Sequence, residues 1–167
     1  NTYTNISMSV TSGYTGLVYF IGVGYTIPSN GQLIIDNNST VGNFNVTAGT
    51  AEYHMIHTVM SSTAGAIANI TNNNFSNILT STFNYSYFYG LYSDFTGGSC
   101  QMTVTGNTFD NWLGGNGSII GIDLANMTGT ATCSNNTVSN FLSFGSVGGI
   151  VVEPNSNSGT FNVSGNT

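Results

Sequence analysis

Lysine and arginine are absent from this 167-residue chain. That removes whole classes of chemistry. There is no cationic clamp for phosphate or nucleic acid, no Schiff-base lysine and no arginine finger. Six acidic residues leave a formal charge of −6, and charged residues total 4%, against roughly 25% in an ordinary soluble domain. Such a surface repels nucleic acid and anionic membranes. Two cysteines, Cys100 and Cys133, are too few for a disulfide framework. No apolar run reaches the roughly 18 residues of a membrane-spanning helix, so no membrane insertion is expected. In place of charge stand 24 Asn, 23 Thr, 20 Ser and 22 Gly, while hydrophobic residues make up 40% and aromatics 12%. That much apolar content separates the chain from polar disordered segments.

One phrase recurs along the chain. Its fullest form is Val104-Thr105-Gly106-Asn107-Thr108-Phe109-Asp110-Asn111-Trp112, and it returns as Ile70 to Ile78 and as Cys133 to Phe141. A looser copy begins at Ile35, and the chain starts and stops inside further copies. The shared Asn falls at positions 1, 38, 73, 107, 136 and 166, in steps of 37, 35, 34, 29 and 30 residues. Between successive phrases lies another apolar segment: Gly16–Phe20, His54–His57, Tyr89–Tyr92, Ile120–Leu124 and Gly149–Val152. Each period therefore holds three short strands. Gly, Asn, Ser and Thr disfavour helix, and β-branched and aromatic residues favour strand. Three strands in 29–37 residues are too few for a propeller blade and fit a parallel β-helix. The expected fold is all-β, a single solenoid domain over residues 1–167 with about five rungs.

Strand alternation then sorts the residues. Leu33 and Ile35, Ala68 and Ile70, Met102 and Val104, Ala131 and Cys133, and Phe161 and Val163 are predicted to stack inward. Thr103, Thr105, Thr132 and Ser134 face solvent, and Phe75, Phe109 and Val138 fill the next inward column. Asn38, Asn73, Asn107, Asn136 and Asn166 are expected to form a ladder at the turn. There Asn tolerates left-handed backbone, and its amide bonds the copies above and below. Cys100 lies four residues before Val104, an offset of about 13 Å along the strand. Beyond disulfide reach of Cys133, the two are expected to be buried free thiols.

The phrases Gly106-Asn107-Thr108-Phe109 and Asn135-Asn136-Thr137-Val138, each with a later Gly-Ile strand such as Gly121-Ile122-Asp123-Leu124, resemble right-handed parallel β-helix repeats. Repeats of this kind occur in long secreted bacterial surface proteins, particularly Bacteroidetes-type adhesin-like proteins. The resemblance covers nearly the whole chain, best from Ala68 onward. It implies an extracellular, cell-surface location and a structural or adhesive role. Lyases and hydrolases share the fold; those acting on acidic polysaccharides are known for a basic residue beside their carboxylates, which this chain lacks.

Candidate chemistry is sparse. The carboxylates are Asp36, Glu52, Asp94, Asp110, Asp123 and Glu153, of which Asp123 and Glu153 sit in equivalent strands one rung apart, so a hydrolase of neutral polysaccharides remains a third reading. His54 and His57, three apart on a strand, are predicted on opposite faces and to bind no metal. No cofactor is implied. The segment from Phe83 to Phe95 holds seven aromatics, and alternation places Phe83, Tyr85, Tyr87 and Tyr89 on one face. Tyr85, Tyr87, Tyr89 and Tyr92 are candidates for a protein or glycan contact, or for packing over the core. Both ends break off inside a repeat, which predicts either continuation in a longer array or end-to-end self-association. The leading expectation is a non-enzymatic rod or filament building block at the cell surface; the alternative is a glycan-binding module.

Overall fold

Wherever apolar residues alternate with Thr, Ser and Asn, the chain is extended. A computed structural model describes residues 1–4, 7–8, 16–46, 50–80, 85–96, 100–154 and 159–167, and these contain strands and no helix. The strands form three parallel sheets. Sheet A stacks β1 (Thr2–Thr4), β6 (Ser39–Val41), β10 (Asn74–Thr80), β13 (Thr108–Leu113) and β16 (Thr137–Leu142). Sheet B stacks β3 (Leu17–Val23), β8 (Glu52–Ser62), β11 (Tyr87–Thr96), β14 (Ile119–Met127) and β17 (Val147–Pro154). Sheet C stacks β5 (Gln32–Asp36), β9 (Ala66–Thr71), β12 (Cys100–Thr105), β15 (Thr130–Ser134) and β18 (Thr160–Ser164). Short strands β2 (Ser7–Met8), β4 (Thr26–Ile27) and β7 (Phe44–Val46) complete the outline. The chain passes from B to C to A and back, so each strand pairs with its equivalent one period away. This is a parallel β-solenoid of about four turns.

The predicted columns align in register, and their interior members are buried, while Val163 in the last rung is half exposed. Leu33, Ala68, Met102, Ala131 and Phe161 align across sheet C, as do Ile35, Ile70, Val104, Cys133 and Val163. Large and small side chains alternate down the first column, which lets successive layers interdigitate. Phe75 aligns with Phe109 and Val138 in sheet A, and both rings are buried. Trp112 fills the same interior and donates its indole N–H to the Phe75 carbonyl at 2.8 Å. Cys100 pairs with Ala66 and Cys133 with Val104. Both thiols are free and buried, with pKa values pushed up to about 11 by desolvation, so the reactive thiolate is suppressed.

At the corner between sheets C and A runs the asparagine ladder. The Nδ2 of Asn38, Asn73, Asn107 and Asn136 donates to the Oδ1 of the next Asn along the axis at 2.8, 2.8, 2.9 and 2.9 Å. The backbone N–H of each same residue donates to that Oδ1 as well, at 2.9–3.1 Å. The second proton of Nδ2 goes to a strand carbonyl: Asn73 to Ile35, Asn107 to Ile70, Asn136 to Val104, Asn166 to Cys133. Each interior amide thus makes two donor and two acceptor contacts, the full capacity of the group.

The left-handed backbone expected at these residues sits one position earlier. Asn37, Asn72, Gly106, Asn135 and Gly165 have φ of 54°, 54°, 69°, 55° and 63°. The bend at the preceding residue is what turns the ladder side chain inward. A second set of left-handed residues, Asn77, Asn111 and Asn140, marks the bend within β10, β13 and β16, and Asn111 Nδ2 bonds Asn77 Oδ1 at 2.7 Å.

Replacing Asn107 by Ala leaves the Asn73 amide and backbone N–H without their acceptor, and the Asn136 Oδ1 and the Ile70 carbonyl each short of a donor, in a dry interior. A loss of about 2–4 kcal/mol is expected from urea unfolding. Asn107→Asp, which accepts but cannot donate, should be at least as damaging above neutral pH. An Asn107→Ala variant as stable as the parent chain would show that the ladder contributes nothing.

Candidate functional site

Alternation on sheet B breaks once per strand. Phe20 and Ile21, Met55 and Ile56, Gly90 and Leu91, and Gly121 and Ile122 turn inward in succession. The first four pack in or against the core, and Met55, Ile56, Leu91 and Ile122 are wholly buried. At Gly90 a Cβ would lie 2.5 Å from the Phe109 ring, and at Gly121 one would lie 2.3 Å from Val138, so these two positions face inward and need glycine. Two inward residues in a row shift the parity. Residues three apart across the step then share the outward face.

This overturns the expectation for the two histidines. His54 and His57 lie side by side, with Nδ1 atoms 3.1 Å apart. Aligned glycines in mid-strand are a known sign of a bend or close backbone approach, and Gly90 and Gly121 were the signal in the sequence that alternation would fail here.

The outward face of sheet B carries four of the six carboxylates and both histidines. At one side Glu52 Oε1 contacts His54 Nε2 at 2.5 Å. His54 is 1% exposed and stacks on Tyr89 with ring centroids 4.6 Å apart. His57 lies between Tyr19, at 4.1 Å, and Tyr92, at 5.2 Å, with both stacked. Burial holds both imidazoles neutral, with pKa values lowered to about 4, and burial also raises that of Glu52. With Glu52 ionised, the network fixes the tautomers. His54 donates from Nε2 to the carboxylate, its Nδ1 accepts from His57 Nδ1–H, and His57 Nε2 is left as an acceptor.

Across the strip lie Asp94, Asp123 and Glu153. Tyr92 pairs with Asp123, which pairs in turn with Val151, while Asp94 pairs with Ala125, which pairs in turn with Glu153. Asp123 and Glu153 are therefore diagonal rather than directly stacked, and Asp123 lies diagonally between Asp94 and Glu153. A register shift between Ala125 and Met127 frees Asn126, with φ of 53°, to donate to Asp94 Oδ2 at 3.2 Å. Burial first, then the charges of Glu153 and Asp94, push the Asp123 pKa up to about 6.

The remaining two aspartates differ. Asp36 receives Thr71 Oγ1 at 2.5 Å, Asn72 Nδ2 at 3.0 Å and Asn37 Nδ2 at 2.5 Å. Asp110 receives Ser139 Oγ and Asn140 Nδ2, both at 2.7 Å. These donors lower both pKa values.

The aromatic stretch divides between core and surface. Phe88, Leu91 and Phe95 are interior, Tyr85 and Tyr87 are 59% and 48% exposed, and Tyr89 and Tyr92 are half-buried in the stacks just described. Phe83 lies outside the described residues. Open hollows flank the strip, one lined by Leu17, Glu52 and Tyr87 and another by Tyr25, Thr26 and Val59. Among the described residues no three of His, Cys, Asp and Glu are placed to hold one metal ion. The outward face of sheet B is thus aromatic and acidic. No protein-family model, no curated protein and no solved structure matches this chain.

The titrating groups act in opposite directions. Each histidine has a folded pKa of about 4 against about 6.5 unfolded. Their contribution is complete above pH 6.5 and is lost as the pH falls towards 4, at most roughly 3 kcal/mol for His54. Asp123 is raised to about 6, so its ionisation destabilises the fold above that pH, and Asp123→Asn should stabilise the chain at pH 7 by about 1–2 kcal/mol. Urea unfolding at stepped pH, with histidine ring resonances followed in parallel, checks both. Midpoints near 6.5 for the two rings would contradict the buried pair.

Proposed function

We propose that this chain forms part of a rigid extracellular rod, structural or adhesive, that displays sheet B outward. The observation that carries this reading is the unbroken asparagine ladder joined to three parallel sheets. Every rung bonds the next through the same groups, so the architecture lengthens by repetition without a new kind of contact. In the first and last described rungs, β1, β3 and β5 at one side and β16, β17 and β18 at the other pair with a strand on one edge only. Edges of this kind present unpaired N–H and C=O groups, which accept a further parallel strand.

Composition supports an extracellular setting. Trypsin-like proteases have no cleavage residue here, and seven of the 18 described aromatic side chains are fully buried, with five exposed. The resemblance to secreted bacterial adhesin-like repeats, right-handed in that family, agrees with this reading. Recognition of a neutral glycan through Tyr87 and the adjoining hollow is a second reading, favoured by that ring's outward, half-exposed position on sheet B.

Immunogold electron microscopy on intact source cells is expected to label the cell exterior, on unbranched rods with a repeat of about 4.8 Å along the axis. Label confined to the cell interior, or compact particles without an axial repeat, would rule the rod out. In solution, an aromatic-directed protease should nick the folded chain first at Tyr25, Tyr85 and Phe144, which are 79%, 59% and 75% exposed, and leave the stacked core associated. Rapid loss of all β-structure would show that composition rather than rigidity gives what resistance there is.

A further inference from the structure

Asp123 is only 7% exposed, and its Oδ1 has no hydrogen-bond partner. Asp94, beside it on the diagonal, keeps its own Oδ1 buried and unpartnered, although Asn126 serves its Oδ2. A buried acceptor without a donor is costly, and two on one outward face are not needed by the fold. Where the solenoid has only structural demands, at Asp36 and Asp110, donors from neighbouring rungs satisfy the carboxylates.

We propose that sheet B binds the guanidinium group of an arginine on a partner protein, held between Asp94 and Asp123, with Glu153 at the outer rim and the Tyr92 ring alongside. Three observations select this occupant. The sequence has no lysine or arginine, so residues 1–167, here or in a second copy, supply no guanidinium, and the arginine comes from outside this segment. A single metal ion does not fit the described residues, because the diagonal register spreads the three carboxylates over three successive rungs, about 4.8 Å apart. A guanidinium presents several N–H donors in one plane, bonds carboxylates side by side and packs on aromatic rings. The Asp94 and Asp123 carboxyls reach it by turning about χ2, a broad torsion. Burial and the flanking charges that raise the Asp123 pKa to about 6 make a bound cation favourable there.

This inference goes beyond the rod reading and does not depend on it. The test uses the full chain and a short Gly/Arg peptide, with a Gly/Lys peptide, Ca²⁺ and a neutral oligosaccharide as comparison ligands. Calorimetry measures affinity, and carboxyl-carbon NMR follows Asp123. The Arg peptide should bind most tightly and lower the Asp123 titration midpoint. Asp94→Asn/Asp123→Asn should weaken it by about tenfold or more, while Asp36→Asn/Asp110→Asn, which removes the same charge elsewhere, should change it by less than about twofold. The unfolding midpoints of both double variants establish that they are folded. Equal weakening by the two pairs would reduce the effect to net charge and overturn the site. So would an absence of Arg-peptide binding, or tighter binding of Ca²⁺ or the oligosaccharide to this face.

Discussion

Along the paired strands, side chains meet the residues at their own position in the next rung, at a spacing of about 4.8 Å. That single constraint selects the residues. An asparagine amide carries two donors and two acceptor sites, so a column of them closes on itself, each Oδ1 taking two N–H groups from one side and each Nδ2 giving two. A column of like charges would instead sum its repulsion at each step. Threonine and serine behave as asparagine does: Thr105 and Ser134 bond at 3.1 Å, and the interior pair Thr58 and Ser93 at 2.9 Å. The scarcity of charge and the abundance of Asn, Thr and Ser are two results of the same stacking.

Charge is tolerated where its neighbours in the column are donors. Asp36 has Thr71 and Asn72 one rung away, and Asp110 has Ser139 and Asn140. Sheet B departs from this pattern. Its outward strip collects Glu52, His54, His57, Asp94, Asp123 and Glu153, and there the stacking is aromatic on imidazole rather than amide on amide. Burial drives the imidazoles towards neutrality and Asp123 towards protonation, so the strip lowers its charge by shifting pKa values. The outward strip of sheet B bears these costs, whereas Asp36 and Asp110 avoid them.

Much of this was legible in advance because a solenoid repeats. Aligning the copies of one phrase identified the ladder asparagines, the inward columns of sheet C and the Phe75–Phe109–Val138 column, since each position is written several times over. Two misreadings share one cause. The left-handed residue was assigned to the ladder Asn, whereas it is the residue before it; Gly106 and Gly165 at that earlier position are the trace of it in the sequence. The histidines were placed on opposite faces because a strand was assumed to alternate strictly. Both features depend on where the backbone bends, and a bend occupies one residue whose identity varies between copies.

Composition and spacing by themselves determined the all-β class, the number of strands per rung, the ladder and the free buried cysteines. These follow from period and parity, which are properties of the chain alone. Only the tertiary structure decided which outward residues become neighbours. The double inward step at Gly90, Gly121 and Met55 rotates the rest of each sheet B strand, and the diagonal register between rungs brings Asp94, Asp123 and Glu153 together with Tyr92. Tyr92 and Asp94 share one strand, but Asp123 and Glu153 lie about one and two periods further on and share no motif with them; a corner in the backbone, repeated at every level, is the physical reason they meet.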